Sequence, residues 1–174
     1  MEKRAIEMLD EHRLMTISTV RPDGWPQATM VSYANDGLLI YFLISRASQK
    51  FANIRADQRV SIAIGRDYDD PAEIRGLSMA ALASEVTDAD QRRKAYRLLL
   101  DRHPEFARFA EPDLSKAAIM RAACRIATLI DYRAGFGHAD TITVGGPDIV
   151  GMQPARHDDW GLSPAADPKR LLTA

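Results

Sequence analysis

The chain has 174 residues, 46% of them hydrophobic, and its 23 Lys and Arg residues nearly balance 24 Asp and Glu residues. This length and composition suit one globular domain, and a formal net charge of -1 argues against recruitment of nucleic acid or anionic lipid. Cys124 is the single cysteine, which excludes an intramolecular disulfide and a thiolate zinc site. No run approaches the roughly 18 apolar residues of a membrane span, and the first residues do not resemble a signal peptide. We therefore expect a cytoplasmic protein that holds no metal.

The first predicted elements are a helix and a strand. Residues 2–12 place Ile6 and Leu9 on one side of an amphipathic helix. Leu14–Val20 is rich in β-branched residues and ends in Arg21-Pro22-Asp23-Gly24, a sequence typical of a turn. A strand and a hairpin are expected here.

The stretch from Pro26 to Ile64 carries the clearest pattern. Gln27–Tyr33 and Leu38–Leu43 predict two strands joined by the turn signal Asn35-Asp36-Gly37. Between residues 60 and 64, Val and Ile alternate with Ser and Ala, which predicts a strand with one apolar face. The predicted order is strand, turn, strand, helix, strand.

The helix in this order begins at a sequence suited to phosphate. Ser45–Lys50 supplies hydroxyl groups and cations, and Phe51, Ile54 and Arg55 follow at helical spacing. Backbone N–H groups and the positive end of the helix dipole favour an anion there, and the Lys50 ammonium adds charge. The alternative is a surface helix capped by Ser45 or Ser48, with Lys50 in solvent.

Three short motifs follow one another here: Ser48-Gln49-Lys50, Asn53-Ile54 and Arg59-Val60-Ser61. In this order and spacing they resemble the pyridoxamine 5'-phosphate oxidase-like superfamily of FMN-binding split barrels, over about residues 5–140. The resemblance implies a mainly β fold with flanking helices, built on a six-stranded antiparallel split β-barrel. It also implies a homodimer, with FMN bound in the cleft between the subunits.

The resemblance further implies which residues bind the cofactor. The second strand would line the isoalloxazine ring, largely through backbone groups, at Thr29, Met30, Val31 and Ser32. Phe42 and Leu43 would close the ring side, and Ser48, Gln49 and Lys50 would hold the phosphate. Members of the family often carry Arg or Lys where Thr29 and Gln49 stand here, so Lys50 is the chief cation expected.

A second set of strands and helices follows. Ile74–Val86 predicts a long strand of small residues, which lets a neighbouring strand, a second subunit or a ligand lie close. Asp88 and Gln91 resemble a capping box that starts a helix ending at His103-Pro104. That helix should cover the barrel, and the basic residues along it are expected to be solvated.

The region after this helix is less regular. Pro104–Ala110 predicts a short helix with Phe106 and Phe109 turned inward. Residues 118–132 have the alanine content of a helix but alternate in part, and the family resemblance favours a closing strand there.

Gly135-Phe136-Gly137 allows a tight bend and the close approach of a flat ligand. Similar segments, often followed by Arg, occur in the branch of the superfamily that includes haem-utilisation proteins. Here His138 takes that position. It is a candidate haem ligand or proton donor, with a plain hydrogen-bonded or exposed turn histidine as the alternative.

The last residues differ in composition from the rest. Residues 145–174 are rich in Gly and Pro around Trp160. We expect a tail that docks on the barrel or on the dimer partner, beside a domain of residues 1–144.

The resemblance favours an FMN-binding oxidoreductase acting on a small molecule. True pyridoxamine-phosphate oxidases carry a C-terminal Trp- and Arg-rich signature that Trp160-Gly161-Leu162 does not reproduce, so pyridoxamine phosphate is not the expected substrate. No general acid or base stands out. Three alternatives stay open: a haem-binding or haem-utilisation protein, a deazaflavin-dependent reductase, and a non-catalytic flavin-binding protein.

Overall fold

The structure is a computed structural model that describes residues 1–144, and it contains seven antiparallel strands and three helices. The strands are β1 (Leu14–Val20), β2 (Pro26–Asp36), β3 (Leu39–Ser45), β4 (Arg59–Gly65), β5 (Arg75–Glu85), β6 (Ala117–Asp131) and β7 (Ala139–Thr143). The helices are α1 (Glu2–Glu11), α2 (Gln49–Ala56) and α3 (Ala89–Arg102). Short 3-10 turns lie at Pro71–Glu73, Pro104–Arg108 and Tyr132–Ala134.

Six of the strands close into a barrel, as predicted. The order is β3-β2-β1-β4-β5-β6, and pairing of β3 with β6 joins the two ends. The long β6 contacts three neighbours, because its first half pairs with β3, most of its length pairs with β5, and residues 126–130 pair with β7. The register shifts between Ala80 and Ala81 of β5, where the pairing passes over Arg125 of β6, as it does in a β-bulge.

The barrel is split between β2 and β3. These strands pair only from Tyr33 opposite Phe42 to Asp36 opposite Leu39. Residues 26–32 of β2 pair with β1 alone, while the end of β3 pairs with β6. Beyond Tyr33 and Phe42 the two strands therefore diverge, and one backbone edge of β2 is left without a neighbouring strand in the described part of the chain.

The core fills the barrel through the alternation of side chains along each strand. On β4, Val60, Ile62 and Ile64 are buried while Ser61 and Ala63 are exposed, as their pattern predicts. Tyr33 and Phe42 are among the largest fully buried side chains. Burial of each such side chain contributes roughly 1.5–3 kcal/mol. At the paired ends of β4 and β5, a Cβ atom added to Gly76 would lie 3.2 Å from the Ile64 carbonyl oxygen. The close approach of the two strands therefore explains why a residue without a side chain stands at this position.

The helices cover the barrel. α1 buries Ala5, Met8 and Leu9, and the hydroxyl of Tyr33 donates a 2.8 Å hydrogen bond to the Leu9 carbonyl oxygen. The predicted start of α3 is confirmed, since an Asp88 carboxylate oxygen accepts the Gln91 backbone N–H at 2.8 Å. None of the three helices combines the length and the hydropathy needed to span a bilayer, within the residues described.

One expectation about the core is wrong, and another lies outside the structure. Phe109 is 60% exposed instead of turned inward, because the 3-10 turn ends at Arg108 and places it in an extended segment beyond the turn. The short strand β7 was not predicted. The tail of residues 145–174, with its predicted docking, lies outside the described residues.

Candidate functional site

A cleft of about 390 Å³ opens where β2 and β3 diverge. The start of α2 bounds one side, and Leu99 of α3 and Phe106 of the following turn bound another. The strands and the start of α2 supply the rest of the lining: Met30, Val31, Ser32, Leu43, Ile44, Ser45, Ser48 and Lys50. Six of the nine residues predicted to bind a cofactor are in this lining: Met30, Val31, Ser32, Leu43, Ser48 and Lys50.

Strand alternation explains how the cleft acquires its outer wall. Tyr33 and Phe42 are opposite one another and point into the core. Their neighbours Ser32 and Leu43 therefore point to the outer face of the sheet, as does Met30 two residues before Ser32. The outer wall therefore combines the hydroxyl of Ser32 with the apolar side chains of Met30 and Leu43.

Ser48 starts α2, as the capping interpretation predicts. Its hydroxyl oxygen accepts the Phe51 backbone N–H at 3.3 Å, and its O–H donates to the Ser45 carbonyl oxygen at 2.6 Å. Because both roles of the hydroxyl are taken, it has little capacity left for a ligand. The capacity of this helix start to bind an anion thus resides in its first backbone N–H groups and in Lys50.

Lys50 is the cation of the cleft. Its side chain is half-buried, and no carboxylate or hydrogen-bond acceptor among residues 1–144 contacts its ammonium group. Burial lowers the pKa of Lys50 from its ordinary value, because removal of water disfavours the charged form. An anion bound beside Lys50 would supply a negative charge that stabilises the protonated ammonium group.

Three of the predicted residues have side chains that point elsewhere. Thr29 lies on the inner side of β2, where its hydroxyl oxygen is buried without a hydrogen-bond partner among the described residues. Phe42 is 0% exposed in the barrel core, so it does not close the cleft. The Gln49 side-chain amide donates to Asn53 Oδ1 at 2.8 Å instead of facing Lys50.

Asn53 is a residue whose role sequence reasoning missed. It is 0% exposed, and its side-chain amide donates to Thr19 Oγ1 at 2.9 Å and to Gln27 Oε1 at 3.1 Å. These bonds fasten α2 to β1 and β2, and so fix where Lys50 stands relative to the strands. Asn53-Ile54 was one of the motifs that carry the family resemblance, but nothing in it indicated that the Asn53 side chain is a buried anchor.

A buried histidine supports the side of the cleft formed by Phe106. The His103 ring stacks on Phe106 with centroids 5.1 Å apart. A ring N–H at Nε2 donates to the Tyr33 carbonyl oxygen at 2.9 Å, and Nδ1 accepts from Arg13 at 3.3 Å. Nδ1 also lies 3.5 Å from a carboxylate oxygen of Glu105, which Arg13 binds as well. Pro104 indicated that α3 ends near this position, but it did not indicate that the His103 side chain is buried.

His138 does not line the cleft. It follows a bend in which Gly135 and Gly137 adopt φ of 142° and 81°, conformations that favour glycine. His138 Nε2 lies 3.1 Å from an Asp140 carboxylate oxygen. Arg4 of α1 pairs with the same carboxylate at 3.2 Å and with Asp131 at 3.0 Å. The histidine therefore belongs to a charge cluster that ties α1 to the end of β6.

An exposed face of the sheet begins beside the cleft. Met30, which is 69% exposed, borders both the cleft and this face, and Trp25 at the β1–β2 turn is 71% exposed. The outward residues in the middle of β4 and β5 are small: Ser61, Ala63, Ser78 and Ala80. An exposed face of small side chains with large apolar side chains beside it is typical of a protein–protein contact.

Comparison of the sequence with those of known proteins identifies a family and a relative of this chain. The sequence profile of the pyridoxamine 5'-phosphate oxidase family matches residues 1–129. General stress protein 26 of Bacillus subtilis is 26% identical over 91 residues, which are 50% of this chain and 64% of that protein.

Solved structures share the fold. A heme binding protein from Mycobacterium smegmatis superposes with a TM-score of 0.71 at 21% identity, over 82% of this chain and 57% of that one. An F420 reductase superposes with a TM-score of 0.54 at 27% identity, over 70% of this chain and 93% of that one. The chain spans less than two thirds of the length of both the Bacillus and the M. smegmatis proteins.

Proposed function

The chain belongs to the pyridoxamine 5'-phosphate oxidase family, and we propose that it is an FMN-binding oxidoreductase that holds the flavin in the cleft between β2, β3 and α2. The observation that carries the proposal is the position of Lys50. Its ammonium group, which has no partner among residues 1–144, stands at the start of α2, at the end of a cleft whose other walls are mostly apolar. A ligand with one anionic end and one flat apolar end matches that distribution.

The phosphate end of the ligand would meet two kinds of donor. The first N–H groups of α2 are left free by the helix geometry, and Lys50 adds a charge-assisted contact. Thr29 and Gln49 supply no further cation, so Lys50 carries most of the charge complementarity in this protomer.

The ring end would lie against β2. Over residues 26–32 this strand leaves one backbone edge unpaired within the described chain, so N–H and C=O groups there are available to the polar edge of a flavin. Leu43, Leu99 and Phe106 offer apolar surface to the ring faces. Bound FMN would supply the electron transfer, while these residues bind it, orient it and exclude water.

A second copy of the chain is part of the proposal. The exposed face that starts at Met30 would be covered by the same face of a partner in a twofold homodimer. Because Met30 borders both features, the partner would also close the open side of the cleft. The substrate would then reach the flavin at the subunit boundary.

A deazaflavin coenzyme is the second candidate, favoured by the 27% identity to an F420 reductase. It combines a tricyclic ring with an anionic side chain, so the same cleft chemistry applies. Haem is less well supported, because the described cleft lining contains no His, Cys or Tyr and its one thioether, Met30, is largely exposed. The likeness to a heme binding protein at 21% identity extends to the fold alone.

The test is a titration of the purified protein with FMN, read by quenching of flavin fluorescence and by absorbance. Lys50→Ala should weaken FMN about ten- to a hundredfold, because charged hydrogen bonds contribute roughly 1.5–3 kcal/mol. Lys3→Ala is the matched control, since Lys3 is exposed on α1, outside the cleft lining. Equal affinity of wild type and Lys50→Ala would remove the phosphate assignment, and tight binding of the deazaflavin coenzyme without FMN binding would select the second candidate.

A further inference from the structure

A second cavity, of about 430 Å³, lies beside α3, between that helix and the segment that precedes β6. Leu99 faces the cleft, whereas Tyr96, Arg97 and Leu100 face this second cavity, and the two linings share no residue. Its far wall is the segment Glu111–Leu114, which precedes β6. The volume is within the usual range of small-molecule sites, roughly 300–1,000 Å³.

Arginines dominate the rim of this cavity. Arg92, Arg93 and Arg97 all contribute to the lining. Arg92 is held in place by a 2.7 Å hydrogen bond to the Thr87 carbonyl oxygen, and Arg93 pairs with Asp90. The pattern of the helix alone suggested a solvated surface, but the fold brings these cations to one concave site.

Arg97 differs from the other two arginines. Its guanidinium group has no ion-pair or hydrogen-bond partner among residues 1–144, and Asp101, one turn further along α3, forms no ion pair with it. Five N–H donors in a planar fork are thus available beside the cavity. Since Arg92 and Arg93 already contact Thr87 and Asp90, Arg97 is the guanidinium of the described rim that is available to a ligand.

The floor of the cavity is apolar. Leu100, Ile119 and the ring of Tyr96 line it, and Leu114, 42% exposed, covers one side. A site with an available guanidinium group at its rim and an apolar floor is complementary to an amphipathic anion.

We propose that this cavity binds a small organic carboxylate whose apolar body lies on Leu100, Leu114 and Ile119 while its carboxylate is held by Arg97. A carboxylate matches the planar guanidinium fork, which accommodates two parallel N–H···O bonds. This site is separate from the proposed cofactor cleft and does not depend on which cofactor binds there.

The experiment is a titration of the ¹⁵N-labelled 174-residue protein with octanoate, in which NMR spectra record the chemical shifts of the backbone amide groups. We expect saturable one-to-one binding, with the largest shifts at residues 92–100 and around Leu114. Arg97→Gln should weaken octanoate about tenfold or more, because it removes a charge-assisted contact. Arg55→Gln is the matched control, an exposed arginine near the end of α2. Leu114→Ser, at a half-exposed position, should also weaken binding.

The neutral analogue octan-1-ol tests the role of charge, since it shares the apolar body and lacks the anion. Binding of octanol as tightly as octanoate would overturn the proposal, as would equal octanoate affinity in Arg97→Gln and wild type. Shifts confined to the β2–β3 cleft, or binding of several octanoate molecules without saturation, would overturn it equally.

Discussion

Replacement of Asn53 tests whether the buried anchor of α2 has the strength that its contacts indicate. Asn53→Ala removes three side-chain hydrogen bonds, to Thr19, Gln27 and Gln49. Gln49 is exposed and Gln27 half-buried, so both can turn to water, but the Thr19 hydroxyl is 1% exposed and cannot. An unsatisfied buried polar group costs about 1–3 kcal/mol, and the lost volume adds to it. The expected loss in free energy of unfolding is therefore about 2–4 kcal/mol.

The assay is urea unfolding followed by circular dichroism, with thermal melts as a second measure. A loss of this size lowers Tm by roughly 5–15 °C in a chain of this length. Gln49→Ala should cost less, because its side chain is exposed and it supplies only one of the three bonds.

Asn53→Asp separates hydrogen bonding from volume. It preserves the shape of the side chain but replaces the amide that donates to Thr19 and Gln27 with an acceptor. We expect it to be at least as destabilising as Asn53→Ala. An Asn53→Asp protein as stable as wild type, or an Asn53→Ala protein more stable than Gln49→Ala, would refute the reasoning.

Three further predictions concern the sheet face, a charge cluster and the cysteine. Ala80→Arg, on the exposed face of β5, should give a folded monomer in analytical ultracentrifugation where wild type sediments as a dimer; a monomeric wild type would contradict the proposed homodimer. The Arg133 guanidinium lowers the pKa of Asp131 to about 2, so the stabilising contact is present near neutral pH and is lost as pH falls from about 4 towards 2. The stability difference between wild type and Asp131→Asn should close over that interval, and a constant difference would disprove the linkage. Burial raises the pKa of the Cys124 thiol to about 11, so iodoacetamide at pH 8 should react with native protein about a hundredfold more slowly than with unfolded protein; equal rates would contradict its burial.

Structural features that depend only on residues close together in the sequence could be predicted. The start of α2 at Ser48 and the start of α3 at Asp88 are each specified by a side chain that caps the helix within three residues. The strand β4 could also be predicted, because one of its faces meets water and its residues therefore alternate in polarity. Closure of the barrel by β6 was expected only through the family resemblance, since no local signal names the partner of a strand.

The positions of Phe42 and Asn53 show why other parts of the site could not be predicted from the sequence. Leu38–Leu43 is apolar at every position, so its sequence does not show which residues face inward. The structure explains the ambiguity: Phe42 fills the barrel, while Tyr41 on the opposite face is covered by α3. The polar contacts of Asn53 with Thr19 and Gln27 join residues distant in sequence, so they become visible only once the strands are assembled.

Because the strand that closes the barrel lies late in the chain, the barrel can close only after most of the domain has been synthesised. Leu39 finds its partner Ala123 only when β6 has been synthesised. Until then β3 presents an unpaired edge, which exposes a nascent chain to association with its neighbours. The cleft wall formed by β3 depends on the same pairing. A cofactor bound as proposed would therefore enter a domain in which β6 is already paired.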